Sequence, residues 1–197
     1  MAKIDYSFGY KNTWFAIKGV GIDTILLGCS NLVNAKVTTW KNGLLEVENS
    51  QSKVLLSGPY GDWSFLIGKG LYNPSQVDQV IAFLLKMGEF AEEVCYFSSY
   101  RTVGLYGFAK MVQGKIIRLY CYTDEEGHIY NNIGERTDAE KELALNFAIN
   151  DNQLFEEGFD EIDEDNILRI AEKISLSPVC LIGMEESESI ITDITFK

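Results

Sequence analysis

Between Glu93 and Gly134 the sequence leaves the backbone little choice. "LYGFAKMV" (Leu105–Val112) and "KIIRLYCYT" (Lys115–Thr123) are short runs rich in aromatic and β-branched residues, separated only by Gln113-Gly114. Two strand-length runs joined by so short a glycine-containing link must lie antiparallel, because a parallel pair needs a long crossover. "HIYNNIG" (His128–Gly134) follows the turn "DEEG" as a further run, and "EVCYFSS" (Glu93–Ser99) precedes the pair. An antiparallel meander is predicted, either extending a sheet built earlier in the chain or packing on it as a second one.

The earlier part supplies such a sheet. "TWFAIKG" (Thr13–Gly19) reads as a strand, and Asp23 opens a short helix with Ile25, Leu26 and Cys29 at helical spacing. Asn42-Gly43 in "TTWKNGLLEV" is a hairpin-turn signal. "KVLLSG" (Lys53–Gly58) and "DWSFLIG" (Asp62–Gly68) flank Pro59-Tyr60-Gly61 and pair as a hairpin. In "NPSQVDQVIAFLLKMGE", Asn73 is the expected cap and Val77, Val80, Ile81, Leu84 and Met87 form one apolar stripe. The order strand, helix, strand, strand, helix, strand predicts a ferredoxin-like β-α-β-β-α-β start, with room for an extra strand between Asn31 and Trp63.

The tail turns helical. "TDAEKELALNF" offers a Thr137…Glu140 capping box, with Leu143 and Phe147 four apart. In "DEDNILRIAEKISLSP" Asp163 is the cap, Ile167, Ile170, Ala171 and Ile174 form the stripe, and Pro178 ends it. "IITDITF" (Ile190–Phe196) reads as a terminal strand. The expected fold is α+β: the ferredoxin-like start, extended by an antiparallel meander, with C-terminal helices. One domain over 1–197 is expected, divisible into a ferredoxin-like 1–100 and a meander plus acidic helical tail over 101–197.

Several function classes are disfavoured. No apolar run approaches the roughly 20 residues of a membrane span, and "MAKIDYSFGY" lacks a signal peptide's basic-then-apolar layout, so a cytoplasmic protein is expected. The four cysteines form no C-x-x-C, and Cys95 and Cys121 sit in apolar strand-like runs as structural thiols. With a single histidine, His128, beside a turn, neither a zinc set nor a histidine-based nucleophile is expected, and no cofactor motif occurs. The glycine pairs Gly19/Gly21 and Gly68/Gly70 match no phosphate-binding spacing.

Charge is distributed unevenly. Through Arg118 there are 12 Lys/Arg against 9 Asp/Glu, whereas the remainder has 5 against 20, giving the overall −12. Nucleic acid is thereby not expected as a partner of the acidic part, and a basic protein is the expected one. "EEGFDEIDED" (Glu156–Asp165) fails as a calcium loop, since counting from Asp160 puts Asp165 sixth and Ala171 twelfth. It leaves surplus negative surface with embedded aromatics: Phe155, Glu156, Glu157, Phe159, Asp160, Glu161 and Asp163 are the candidate partner-binding residues. Arg101, after Ser98-Ser99-Tyr100, and Arg118, sharing a face with Ile116, Tyr120 and Tyr122, suit either internal ion pairing or a small-anion pocket, with Glu135 as the candidate carboxylate.

From Trp14 to Pro178 the chain resembles a family of uncharacterised bacterial proteins. The resemblance is carried by "TWFAIKG", "DWSFLIG", "YFSSYR", "GKIIRLYCY", "GERTDAE" and "DEDNILRIAEKISLSP" in that order, with Tyr100 where that pattern has a histidine. In its small, acidic character without enzyme motifs it is similar to immunity proteins of bacterial toxin systems. That similarity implies a non-enzymatic antitoxin that occludes the basic active face of a cognate toxin. The alternative expectation is a small-ligand-binding protein or enzyme whose pocket uses Arg101, Arg118 and Glu135.

Overall fold

The computed structural model describes residues 2–8, 11–125 and 127–195; Glu126 of the "DEEG" turn and Phe196 of the expected terminal strand lie outside them. The chain order is β1 (Thr13–Lys18), α1 (Ile22–Gly28), β2 (Leu32–Thr38), α2 (Trp40–Glu48), β3 (Lys53–Tyr60), β4 (Trp63–Ile67), α3 (Val77–Met87) and β5 (Glu93–Tyr100). Then follow β6 (Leu105–Val112), β7 (Lys115–Thr123), β8 (His128–Ile133), α4 (Asp138–Glu142), α5 (Glu164–Ile174) and β9 (Ser189–Ile194). Among the described residues nine strands form one sheet in the order β2-β9-β3-β4-β1-β5-β6-β7-β8. Every pairing is antiparallel. The meander thus extends the first sheet and does not form a second one.

Strand alternation divides the core in two. Trp14 and Phe15 are neighbours on β1 and point to opposite faces, as the period of two demands. Trp14 stacks on Phe97 at 5.1 Å, beneath α2 and α5. Phe15 meets Phe83 at 4.6 Å on the face covered by α1 and α3. The α5 stripe is buried as its spacing predicts, and so is that of α3, except that Ile81 is half-buried while Phe83, off the stripe, is buried. α3 nevertheless starts only at Val77, because Asn73 accepts from the Ser75 N–H at 2.9 Å and closes a separate turn.

Asn42-Gly43 is not a hairpin turn. It lies inside α2, which Thr39 caps by accepting from the Asn42 N–H at 3.3 Å, and which buries Trp40, Leu44 and Val47. Gly43 is there for close approach: a Cβ at this position would sit 2.4 Å from Leu55 Cδ1 on β3. The interval after α1 therefore holds both β2 and α2. The four strands expected in the first half do lie side by side as β3-β4-β1-β5, with α1 and α3 on one face. The link from β1 to β3 is nevertheless not a single helix, and β9 pairs outside β3. The helix after Thr137 is also shorter than expected. It ends at Glu142, Ala144 takes a positive φ of 55°, and Phe147 lies past the end, stacked on Tyr120 at 5.3 Å.

Candidate functional site

One end of the sheet gathers the acidic segments. The β5–β6 connection, a 3-10 turn over Arg101–Val103, lies against the β7–β8 turn through a hydrogen bond from the Asp124 N–H to the Gly104 carbonyl (2.8 Å). Gly104 has a φ of +53° and leaves no room for a side chain, since its Cβ would fall on the Asp124 carboxylate. The start of α5 docks beside these turns. Asp163 caps it by accepting from the Asn166 N–H at 2.7 Å. Buried Glu164 accepts from Ser99 Oγ (2.9 Å) and the Lys11 N–H (3.2 Å), tying α5 to the end of β5.

The loop between α4 and α5 completes this end. Asp160 accepts from the Asn146 N–H at 2.6 Å, and Asn146 Nδ2 donates to the Gly158 carbonyl at 2.8 Å. Phe159 packs partly onto the core, whereas Phe155 is 76% exposed, with its ring 3.1 Å from where a side chain at Gly127 would begin. Glu156, Glu157 and Glu161 are exposed and form no ion pair among the described residues. Of the candidate partner-binding residues, these three and Phe155 are uncommitted, while Phe159, Asp160 and Asp163 also hold the loop and helix in shape. The crowding of negative charge reaches the sheet: burial raises the Tyr122 phenol first, and Asp124 and Glu161 raise it further. At the rim, His128 Nδ1 and Asp151 lie 2.8 Å apart, and the Ile129 N–H donates to the other Asp151 oxygen at 2.8 Å. That N–H first, then the histidine, hold the Asp151 carboxyl below its ordinary range.

The three residues expected to share a pocket are separated. Arg101 is exposed at the acidic end, in a cleft of about 220 Å³ with Tyr106, Asp163 and Asp165. Arg118 is buried on β7 and reaches Glu140, not Glu135: Nε lies 3.1 and 3.2 Å from the two carboxylate oxygens, and Nη2 lies 3.0 Å from Oε1. Its guanidinium also sits over Phe108 (5.6 Å) and Tyr120 (5.3 Å), and Nη1 donates to Asn132 and to the Ile133 carbonyl. Glu140 simultaneously accepts from the Thr137 N–H (2.7 Å), completing the capping box. Glu135 falls past the end of the sheet and is exposed, because the chain turns at Gly134 before α4 folds back over β7. The Thr137…Glu140 spacing was the signal for the true partner, since a boxed glutamate already has a fixed position. Ile116 does not share the Arg118 face: a bulge at Ile117 switches the alternation and sends Ile116 to the other core.

A cavity of about 600 Å³ lies at the opposite end of β6 and β7. Glu135 is in its wall, with Lys115, Ile117, Arg136, Ala139 and Ile174. Sequence reasoning passed over Lys115 and Arg136, whose only local sign is that each lies beside a glycine turn. Among the described residues, no group of three or more His, Cys, Asp or Glu is placed to hold a metal ion, and no helix is long and apolar enough to cross a membrane. No family model matches this chain, and neither a curated protein nor a solved structure does.

Proposed function

We propose that the chain is a non-enzymatic binding protein that offers its acidic end to a basic protein face. In its most concrete form it is an immunity protein that blocks a cognate toxin, consistent with the similarity in character to such proteins. The observation that carries this reading is the loop over 155–161, where Phe155 is exposed beside Glu156, Glu157 and Glu161 and none of the three carboxylates forms an ion pair among the described residues. An aromatic anchor ringed by unpaired charges supplies contact area and electrostatic steering in one place. We place its action in the cytoplasm, in keeping with four free cysteines, three of them buried. The strand order β3-β4-β1-β5 supports reading the first half as a ferredoxin-like unit enlarged by β2, α2 and β9.

The test is co-expression with a toxin-like basic protein, should one be encoded beside this chain, followed by co-purification. A complex that weakens as salt rises is expected, and it should be lost when Glu156, Glu157 and Glu161 are changed to lysine together. The variant should melt like the parent, because these residues hold nothing in place. A complex that survives the triple reversal would remove this surface as the interface.

A further inference from the structure

The cavity at the other end of the sheet has a different chemistry. Four cationic side chains line it, and two are already neutralised: Lys110 by Glu93 at 3.0 Å and Lys173 by Glu142 at 2.8 Å. Lys115 and Arg136 have no carboxylate partner among the described residues. Arg136 makes one long bond, from Nη1 to Asn146 at 3.4 Å, and its Nε is buried without an acceptor. A buried N–H left unpaired is costly and uncommon, so this one is a place where an acceptor is missing. Asp138, also in the wall, is neutralised by Lys141 at 3.1 Å. Glu135 has no ion-pair partner among the described residues, and its charge offsets one of the two free cations and leaves a single net positive charge.

Apart from these charges and Thr137, the wall is apolar. Ile117, which the bulge in β7 turns outward and leaves 40% exposed, faces the cavity together with Ala139 and Ile174. A cavity of about 600 Å³ falls within the usual range for small-molecule sites. Its shape is held from behind: the Arg118–Glu140 pair and the Thr137 capping box fix the start of α4, which supplies Thr137, Asp138 and Ala139 to the wall. We infer that this cavity binds a small monocarboxylate with an apolar or aromatic body. The carboxylate is taken by the flat guanidinium of Arg136, with Lys115 beside it, and the body lies on Ile117, Ala139 and Ile174. The residual single charge selects a monoanion, and the isoleucines select against a bare inorganic anion. This inference does not rest on the acidic end, from which α5 separates the cavity by its 11 residues, roughly 16 Å of helix.

Benzoate is the probe, with benzylamine as the same body carrying the opposite charge and inorganic phosphate as an anion without a body. Amide shifts of the isotope-labelled protein are followed at Ile117, Gly134, Arg136, Ala139 and Ile174. Saturable shifts at these amides are expected with benzoate alone. Affinity should fall about tenfold or more in Arg136→Gln and in Lys115→Gln, and stay unchanged in Arg101→Gln, whose site is at the far end. Should Arg136→Gln lose spectral dispersion, the exposed Lys115→Gln decides alone. Non-saturating or scattered shifts, an equal response to benzylamine, or undiminished binding in a well-folded Arg136→Gln or Lys115→Gln would overturn the site. Phosphate binding as tight as benzoate would overturn the ligand class. None of these outcomes bears on the partner complex, so the two readings fail separately.

Discussion

Arg118 illustrates how much one residue can decide. A guanidinium taken out of water is tolerable only if its charge and donors are met, and Glu140 meets them from a side chain that is itself fully buried. Removing the carboxylate while leaving the arginine strands a charge in the core. Glu140→Ala is therefore expected to cost about 3–5 kcal/mol, read from denaturant unfolding. Glu135→Ala, at an exposed position, should stay within about 0.5 kcal/mol. Equal effects would mean that the buried pair is not what holds α4 to the sheet. Replacing both partners together, Arg118→Met with Glu140→Leu, should recover most of the loss, since no charge is then left alone. The sequence made Arg118 legible as a buried arginine needing a carboxylate, but chose the acid nearest the strand. Which acid returns to the strand depends on where α4 begins, and that is a property of the Gly134 turn and the capping box taken together.

At the scale of elements, the legible parts are those with strong periodicity. The stripes of α3 and α5 and the hairpins around Pro59-Tyr60-Gly61 and Gln113-Gly114 follow from local chemistry alone. What local chemistry misjudged was Asn42-Gly43, because the glycine answers to Leu55 on β3, a contact invisible along the chain. The acidic end was legible as composition, but its split into free and committed carboxylates was not, since Asp160 and Glu164 are claimed by Asn146, Ser99 and Lys11. The rim of that end has its own pH response. The Asp151 carboxyl is held low by the Ile129 N–H and by His128, so its deprotonated form binds the start of β8 more tightly than the protonated form does. A carboxyl depressed in the folded state contributes stability that is present above its unfolded value, about 3.9, and lost as pH falls through the lower folded value. Because the pair is about half exposed, the effect is local and small. Hydrogen exchange at the Ile129 amide should quicken relative to neighbouring strand amides as pH drops below about 4. In Asp151→Asn that pH-dependent component should vanish. An Ile129 amide whose relative protection does not change across that range would show that the carboxylate does not pin the strand.

For the whole molecule, the question is whether two cores separated by one sheet act as one. The topology argues that they do. β9, from the far end of the chain, is inserted between β2 and β3, so the N-terminal edge of the sheet closes only when the last segment arrives. β1 supplies Trp14 to one core and Phe15 to the other, so neither face can loosen without disturbing a strand that the other face needs. Leu44 on α2 and Leu84 on α3 sample the two faces, and both are buried. Each change to alanine should cost about 2–5 kcal/mol, by lost burial and by the cavity left behind. Lying on opposite sides of the sheet, in separate cores, the two should add to within about 0.5 kcal/mol in the double variant. Unfolding should remain a single transition for the parent and both single variants, followed both by tryptophan fluorescence, which reports Trp14, Trp40 and Trp63, all packed in the core beneath α2 and α5, and by far-ultraviolet dichroism, which reports the whole. A separate early loss of tryptophan signal in Leu44→Ala, with the dichroism intact, would mean that the α2 and α5 face melts by itself. The acidic end and the cavity, both built partly on α5, would then sit on a layer that can be released from the sheet, and occupation of either site would stabilise that layer alone. Coincident transitions would instead make any ligand of either site raise the melting temperature of the entire protein.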